Sequence, residues 1–286
     1  MEKRNKAIFG PGGNSESFYA AGNKSTTQAP AWLKGIGLDA YEYEAGNGLT
    51  AKAPSLSEVG RLARENGISM SFHAPYFISL SSTELDKRLK SIDYIATSLG
   101  AAELLGADTI VVHTGSAAKI SREEALRFAA DTVYKTLESL PDNGVKIGLE
   151  TMGKINQLGT LEEVIALCKM SDRLVPVVDF GHMNSRELGQ RFKTEDDYRR
   201  VFSDIAEALS DDTARYLHCH FSRIEWTSGG EKRHLCFSDG TFGPDFEPLM
   251  EAIYKESLCP RIICESAGTM AEDALTMKKY YLSLSK

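Results

Sequence analysis

The sequence predicts an α/β fold, a single (β/α)8 TIM barrel that spans residues 1–286 as one domain. The chain has 286 residues, a length that suits one large α/β domain or two small ones. Short β-branched or aromatic runs alternate with longer amphipathic runs, and no low-complexity segment separates them. Eight strand–helix units of about 36 residues each fill the chain, which is typical of such a barrel.

The eight predicted strands are short runs in which hydrophobic residues predominate, and each precedes a candidate helix. They are Lys6–Gly10, Asp39–Tyr43, Ile68–His73, Thr109–His113, Lys146–Glu150, Leu174–Asp179, Arg215–His220 and Arg261–Glu265.

Helix starts are predicted by capping boxes, in which a hydroxyl and a carboxylate three residues later accept hydrogen bonds from the free amides of the first turn. These are Ser55–Glu58, Ser121–Glu124, Thr160–Glu163 and a weaker version at Thr194–Asp197. Helix ends are predicted at Gly67 and Gly106, because glycine readily adopts the left-handed conformation of a helix C-cap.

An open, doubly wound sheet is the alternative fold, and it would require a glycine-rich dinucleotide fingerprint or a crevice at a switch point. The glycine-rich segment after the first predicted strand, residues 10–13, reads Gly-Pro-Gly-Gly and lacks the G-x-G-x-x-G spacing. We therefore interpret it as a tight turn.

Composition excludes several classes of protein. The chain is 42% hydrophobic and 26% charged, as globular proteins are, and contains no apolar run long enough to cross a membrane. Five cysteines without a C-x-x-C pair, and an N-terminus without a secretory signal, predict a cytoplasmic protein with reduced thiols. The net charge of −7 argues against a generally basic nucleic-acid surface, although a metal site could bind phosphate instead.

From the third predicted strand onward, every strand ends in a residue type that binds metals. These residues are His73, His113, Glu150, Asp179, His220 and Glu265. Singly, each could be a hydrogen-bonded core histidine or a helix cap. Because the active site of such a barrel lies at the C-terminal ends of its strands, the set together predicts a metal cluster at one mouth.

Two further histidines extend this predicted site. His182 follows Asp179 by three residues, and His234 lies in the long loop after the seventh predicted strand. His218 precedes His220 by two residues, so strand alternation places it one layer deeper, as a core histidine or a partner of the site.

Imidazole and carboxylate ligands without thiolates suit Zn²⁺, Mn²⁺ or Fe²⁺. Eight candidate ligands are too many for one tetrahedral ion, and Glu150 or Asp179 could bridge two ions. Metal ions about 3.5–4 Å apart are suited to in-line displacement at phosphorus.

Five motifs resemble, in order and spacing, those of the endonuclease IV family of apurinic/apyrimidinic endonucleases, which belongs to the xylose isomerase-like TIM barrels. The motifs are His73-Ala-Pro-Tyr76-Phe-Ile-Ser-Leu80, Val111-Val-His113-Thr-Gly115, Leu149-Glu150-Thr151, Asp179-Phe-Gly-His182 and Ile263-Cys-Glu265-Ser266. The resemblance covers nearly the whole chain.

The resemblance implies two or three zinc ions and a substrate of DNA that contains abasic sites. The first ion would be held by His73, His113 and Glu150; the second by Glu150, Asp179, His220 and Glu265; and the third by His182 and His234. Glu150 would bridge the first two ions as the catalytic carboxylate, and Tyr76 would contact the substrate. A hydroxide shared by the ions would attack the phosphodiester 5′ to the abasic site.

The chain also departs from the family pattern. Lys232 stands where the family has an aspartate ligand, so Glu231 would substitute or the third site would be weak. The segment after the second predicted strand, residues 42–52, is acidic at its start and has no arginine, although the family uses this loop to penetrate DNA. Tyr43 or Leu49 could act as a wedge there, with Tyr43 favoured as a core residue.

These departures and the acidic charge support a second hypothesis, a sugar or sugar-phosphate isomerase or epimerase of the same superfamily. It would use a divalent metal and paired carboxylates such as Glu150 and Glu265 for proton transfer. A metal-binding scaffold without catalysis is a third alternative.

Overall fold

The computed structural model describes residues 4–285, and eight parallel strands form its central sheet. In chain order these strands are β1 (Ile8–Pro11), β2 (Ala40–Glu44), β3 (Ser69–His73), β4 (Thr109–His113), β5 (Lys146–Glu150), β6 (Leu174–Asp179), β7 (His218–Phe221) and β10 (Arg261–Cys264). The two intervening strands, β8 (Arg223–Thr227) and β9 (Gly230–Leu235), form a separate antiparallel hairpin.

The sheet closes on itself into a barrel. Its strand order is β1-β10-β7-β6-β5-β4-β3-β2, and hydrogen bonds also join the two end strands. The amide of Asp39 donates to the carbonyl of Phe9 over 2.9 Å, and that of Gly13 donates to the carbonyl of Glu42 over 3.0 Å. The predicted (β/α)8 barrel is therefore confirmed.

The strand boundaries follow the sequence prediction closely. Strands β4, β5 and β6 have the predicted limits, and β2 extends one residue beyond its predicted end to Glu44. The seventh strand was predicted to start at Arg215, which is wrong. Residues Asp211–Arg215 form a short helix, capped by the Ser210 hydroxyl, so the strand starts at His218.

Residues 4–285 also contain eleven α-helices. They are α1 (Glu16–Ala20), α2 (Ala29–Ile36), α3 (Ala53–Asn66), α4 (Leu85–Leu105), α5 (Arg122–Ser139), α6 (Leu161–Cys168), α7 (Phe180–Arg186), α8 (Glu195–Ala208), α9 (Asp211–Arg215), α10 (Glu247–Lys255) and α11 (Met270–Ser283). A short 3-10 helix, Thr26–Gln28, precedes α2. Within residues 4–285, none of these helices could span a lipid bilayer.

Most predicted helix boundaries are confirmed. The capping box of Thr160 and Glu163 starts α6, and the Ser121 hydroxyl accepts the Glu124 amide at the start of α5. Gly67 and Gly106 adopt the left-handed conformation after α3 and α4.

The predicted start of α3 at Ser55 is wrong. The helix begins at Ala53, and Pro54 lies in its first turn. Proline is tolerated there because its missing N–H would have no partner within the helix. The fourth predicted box, at Thr194, is present, with the Asp197 carboxylate accepting the Thr194 amide over 2.8 Å.

Side chains alternate between the two faces of each strand. Phe72, Leu149 and Val178 point outward and pack in the large hydrophobic core beneath the helices. The neighbouring residues His73 and Glu150 belong to the opposite, interior face. The predicted metal cluster depends on this alternation, because it turns the strand-end residues toward the inside of the barrel.

Gly10 permits a close approach between β1 and β2. A Cβ atom on Gly10 would lie 1.9 Å from the backbone carbonyl oxygen of Ala40, and backbone cannot move as easily as a side chain. The barrel can close at this position only because residue 10 has no side chain.

We predict that Gly10→Ala lowers the free energy of unfolding by about 1–3 kcal/mol, because the added methyl forces β1 away from β2. Gly35→Ala is the matched control. Gly35 lies in α2 with open space around it, so alanine there should be neutral or stabilise by up to about 1 kcal/mol. Urea unfolding of both variants measures the difference, and equal stabilities would contradict the prediction.

Candidate metal centre

A cavity of about 820 Å³ opens at the C-terminal ends of the strands. Its wall includes the predicted residues His73, His113, Glu150, His182, His234, Glu265 and Tyr76. Asp179 and His220 lie buried directly beside them. The structure therefore brings all nine predicted site residues together at one mouth.

Glu150 lies at the centre of the site and contacts four histidines. Its Oε2 atom is 3.1 Å from His113 Nε2 and 3.5 Å from His73 Nε2. Its Oε1 atom is 3.0 Å from His220 Nδ1 and 3.5 Å from His182 Nδ1. Each oxygen thus faces a different pair of imidazoles.

The donor atoms fall into groups that match the expected ligand sets. Within each group the donor atoms lie within 4.8 Å of one another. The groups are His73, His113 and Glu150; Glu150, Asp179, His220 and Glu265; and His182, Glu231 and His234. The first two groups share Glu150.

The chemistry of these donors fits divalent cations. Glu150 and Asp179 are completely buried, yet Glu150 Oε2 and Asp179 Oδ2 have no hydrogen-bond partner. Burial of a carboxylate oxygen without a partner is costly, and a metal ion would satisfy both oxygens. Imidazole nitrogens and carboxylate oxygens in this ratio are typical ligands of zinc and of other first-row metals.

In the third group the carboxylate comes from Glu231, and Lys232 takes no part. Glu231 Oε2 lies 3.5 Å from His182 Nε2, whereas Lys232 forms an ion pair with Glu225 over 2.5 Å. The hairpin has a register shift in which Glu225 pairs with Arg233 and Trp226 with Glu231, so Lys232 is the extra residue of a bulge. The bulge changes the side-chain alternation and turns Glu231 toward the same face as His234.

Sequence reasoning missed two carboxylates, Glu42 and Glu44. Glu42 lies in the second predicted strand and Glu44 just after it, but both were treated only as the acidic start of a loop; they are interior residues of β2, separated by the outward-facing Tyr43. Glu44 lines the cavity, and Glu42 lies completely buried beneath it. The Glu-Tyr-Glu alternation could have revealed them, because carboxylates two residues apart lie on one face of a strand.

The aromatic residues near the mouth have different roles. Tyr76 is half-exposed, and its ring centroid lies 5.1 Å from that of His73 and 5.2 Å from that of His113. Tyr43 instead stacks on Phe72 at 5.9 Å and packs against the outer core, as favoured from the sequence. Leu49 also packs against the core, so neither residue projects as a wedge.

Burial and neighbouring charges shift the ionisation of the site. Burial raises the pKa of Glu265 to about 8 and that of Glu44 to about 7. Burial alone would lower the pKa of His73, but the Glu44 and Glu150 carboxylates raise it to about 10. For Glu150, contact with His220 and the other imidazoles outweighs burial and holds its pKa well below the ordinary value.

We predict that, in the presence of a chelator, the free energy of unfolding falls as the pH rises from 7 to 10. Glu265 and His73 have folded pKa values of about 8 and 10, above their ordinary values of 4.5 and 6.5. The folded chain therefore binds more protons than the unfolded chain, and its stability decreases by about 1.4 kcal/mol per pH unit for each extra proton.

Urea unfolding at successive pH values measures this slope. His113 and His218 have lowered pKa values and are neutral in both states above pH 7, so they do not oppose the effect. Glu265→Gln removes one of the protons and should flatten the profile between about pH 7 and 8. Stability that stays constant or rises across this range would contradict the prediction.

Comparisons with known proteins agree with this architecture. Residues 30–280 match the family described as xylose isomerase-like TIM barrel. An uncharacterized protein of Methanocaldococcus jannaschii is 28% identical over 253 residues, which cover 87% of this chain and 89% of that protein. A probable endonuclease 4 of Acholeplasma laidlawii is 26% identical over 247 residues, or 79% of this chain and 82% of that protein.

Solved structures share the fold at lower identity. Endonuclease IV from Thermus thermophilus superposes with a TM-score of 0.71 at 18% identity, covering 97% of this chain and 99% of that chain. A D-tagatose 3-epimerase-like protein superposes with a TM-score of 0.72 at 20% identity, covering 97% of each chain. The resemblance expected from the motifs is thus confirmed, while the same barrel also occurs in proteins named as epimerases.

Proposed function

Because the chain belongs to the xylose isomerase-like TIM barrel family, we propose that it is a metal-dependent hydrolase that cleaves DNA 5′ to abasic sites. The observation that supports this proposal is the arrangement of three donor groups around one cavity, with Glu150 common to two of them. Centres that hold several metal ions side by side are suited to phosphodiester hydrolysis, whereas proton transfer requires fewer ions.

Glu150 would join two of the ion positions. One of its oxygens faces His73 and His113, and the other faces His182 and His220, so a single carboxylate can serve ions on both sides. Two or three Zn²⁺ ions, or Mn²⁺ or Fe²⁺, would supply Lewis-acid stabilisation of the phosphoryl charge and would activate water.

Other side chains would orient the substrate. Burial and the nearby Glu44 carboxylate raise the pKa of Tyr76, so its hydroxyl keeps its proton and can donate a hydrogen bond to a phosphate oxygen. Lys154 and Gln157 also line the cavity, from the loop after β5. Arg186 holds this loop in place by donating to the carbonyls of Lys154 and Gln157 over 2.7 and 3.2 Å.

A sugar or sugar-phosphate isomerase or epimerase is the second candidate, and the acidity of the cavity favours it. Glu44, Glu150, Glu231 and Glu265 line the cavity, and Lys154 contributes positive charge at its edge. Glu150 and Glu265 lie 3.0 and 3.3 Å from His220 Nδ1, so two carboxylates are close enough to share proton transfer on a small polyol.

We expect the zinc-loaded protein to cut a duplex that carries one abasic site, with the break on the 5′ side of that site. Excess chelator should abolish this activity. The same duplex without an abasic site is the control for non-specific nuclease activity, and it should remain uncut. Denaturing electrophoresis identifies the cleaved end. Failure to cut under conditions where an established abasic endonuclease cuts would refute the proposal, and turnover of ketoses by the same sample would favour the second candidate.

We predict that Glu150→Gln lowers metal content by more than one ion per chain and activity by about 100-fold or more, because one amide cannot replace a carboxylate shared by two ligand groups. Elemental analysis after dialysis and the nicking assay measure both effects. Circular dichroism should show an intact barrel. Normal metal content and activity in this variant would show that the assigned site is wrong.

A further inference from the structure

The side chain of Glu44, at the end of β2, presents a carboxyl group to the cavity beside the metal centre. Its Oε1 atom is buried and has no hydrogen-bond partner. We propose that Glu44 determines specificity by accepting a hydrogen bond from a sugar hydroxyl, which in abasic DNA is the hydroxyl on C1′ that replaces the base. This inference deepens the proposed function and rests on it.

Glu44 differs from the other carboxylates of the cavity, which have imidazole contacts. Glu231 Oε2 lies 3.5 Å from His182 Nε2, and Glu265 Oε1 lies 3.3 Å from His220 Nδ1. The Glu44 side chain forms no hydrogen bond or ion pair with any residue of the range 4–285, and the three donor groups do not include it. In either protonation state a carboxyl group keeps an acceptor oxygen, so Glu44 is available to a ligand.

The glycine-rich turn after β1 leaves the space in which this carboxyl group lies. A Cβ atom on Gly12 would lie 3.0 Å from Glu44 Oε1 and 3.5 Å from Glu265 Cγ, and one on Gly13 would lie 3.1 Å from Glu44 Cγ. The amide of Gly12 donates to the carbonyl of Cys264 over 2.8 Å and so holds the turn in place. Glu44 therefore packs against backbone on one side and meets the cavity on the other.

The charges in this part of the cavity favour a neutral hydrogen-bond donor over a phosphate. Glu44 and Glu265 lie on either side of Gly12, so a phosphate placed between them would be repelled by both carboxylates. A hydroxyl carries no charge and can donate to either one. The phosphate would instead lie toward His113, beside the ring of Tyr76.

The C1′ hydroxyl is the donor that the proposed reaction brings to this place. The abasic sugar is esterified directly to the scissile phosphate, so the two groups must occupy one cavity. In its ring form this sugar carries a hydroxyl on C1′, where an intact nucleotide carries a base. A site that hydrogen-bonds a hydroxyl discriminates against an analogue without it, because the acceptor then stays unpaired.

Two substrates that differ in this one hydroxyl test the inference. One duplex carries an abasic site, and the other carries a tetrahydrofuran analogue with hydrogen in place of the C1′ hydroxyl. We expect the zinc-loaded wild type to have a kcat/KM about 10-fold or more higher for the abasic duplex. Glu44→Met has a similar length and no acceptor oxygen, so the ratio should fall to within about twofold of one.

Glu44→Gln is the matched control, because it removes the same charge but keeps a carbonyl oxygen that can accept the hydroxyl. Its ratio should lie between those of the wild type and Glu44→Met. Equal ratios in the two variants would indicate an effect of charge alone and would overturn the inference. Elemental analysis should find wild-type zinc content in both variants, and loss of an ion would instead identify Glu44 as a metal ligand.

The remaining outcomes separate this inference from the proposed function. Wild-type protein that cuts both duplexes equally well would overturn only the role of Glu44. Wild-type protein that cuts neither would refute the proposed function. Ketose turnover would then decide, since Glu44→Met should raise KM about 10-fold if Glu44 binds a hydroxyl of a small sugar. An unchanged KM, or no turnover by the wild type, would overturn the inference as well.

Removal of an unpartnered buried oxygen should not prevent folding. If Glu44→Met nevertheless does not fold, Glu44→Ala replaces it, because its smaller side chain adds no bulk against Gly12. The same ratio of kcat/KM values is then measured, and a ratio as high as that of the wild type would contradict the proposal.

Discussion

The buried negative charge of Glu150 is the constraint on which the site depends. This carboxylate is completely buried and has four imidazoles around it, yet one oxygen has no hydrogen-bond partner. A buried charge is tolerated only where positive charge compensates it. The surrounding histidines and the proposed metal ions supply that compensation, so the mouth is arranged around this residue.

The barrel makes this concentration of charge possible. Parallel strands bring six chain segments that are distant in sequence to one edge, and strand alternation separates the apolar side chains beneath the helices from the polar ones inside. Below the mouth, Arg261 and Asp108 extend the polar interior as an ion pair instead of an apolar layer. A buried ion pair therefore lies beneath the cluster of carboxylates and imidazoles, and the net charge of −7 does not describe the site itself.

Solved structures named as an endonuclease and as an epimerase-like protein share this architecture, so the fold alone does not identify the reaction. The three donor groups support the proposed phosphodiester hydrolysis, whereas Glu42 and Glu44 add two carboxylates to the interior face of β2. Glu42 contacts two buried histidines, His218 and His220, whereas Glu44 faces the cavity. The acidity that the substrate meets comes partly from this second residue.

The sequence by itself determined the barrel and the eight metal-binding candidates, because hydrophobic periodicity and the residue type at each strand end are local signals. Sequence reasoning did not place Glu42 and Glu44 inside the barrel, because it treated them as the acidic start of a loop, although residues two apart lie on one face of a strand. Nor could it choose Glu231 over Lys232, because a bulge in the hairpin made that choice. The contacts of Arg261 with His218 and Asp108 were decided only by tertiary structure, since they join residues 43 and 153 positions apart.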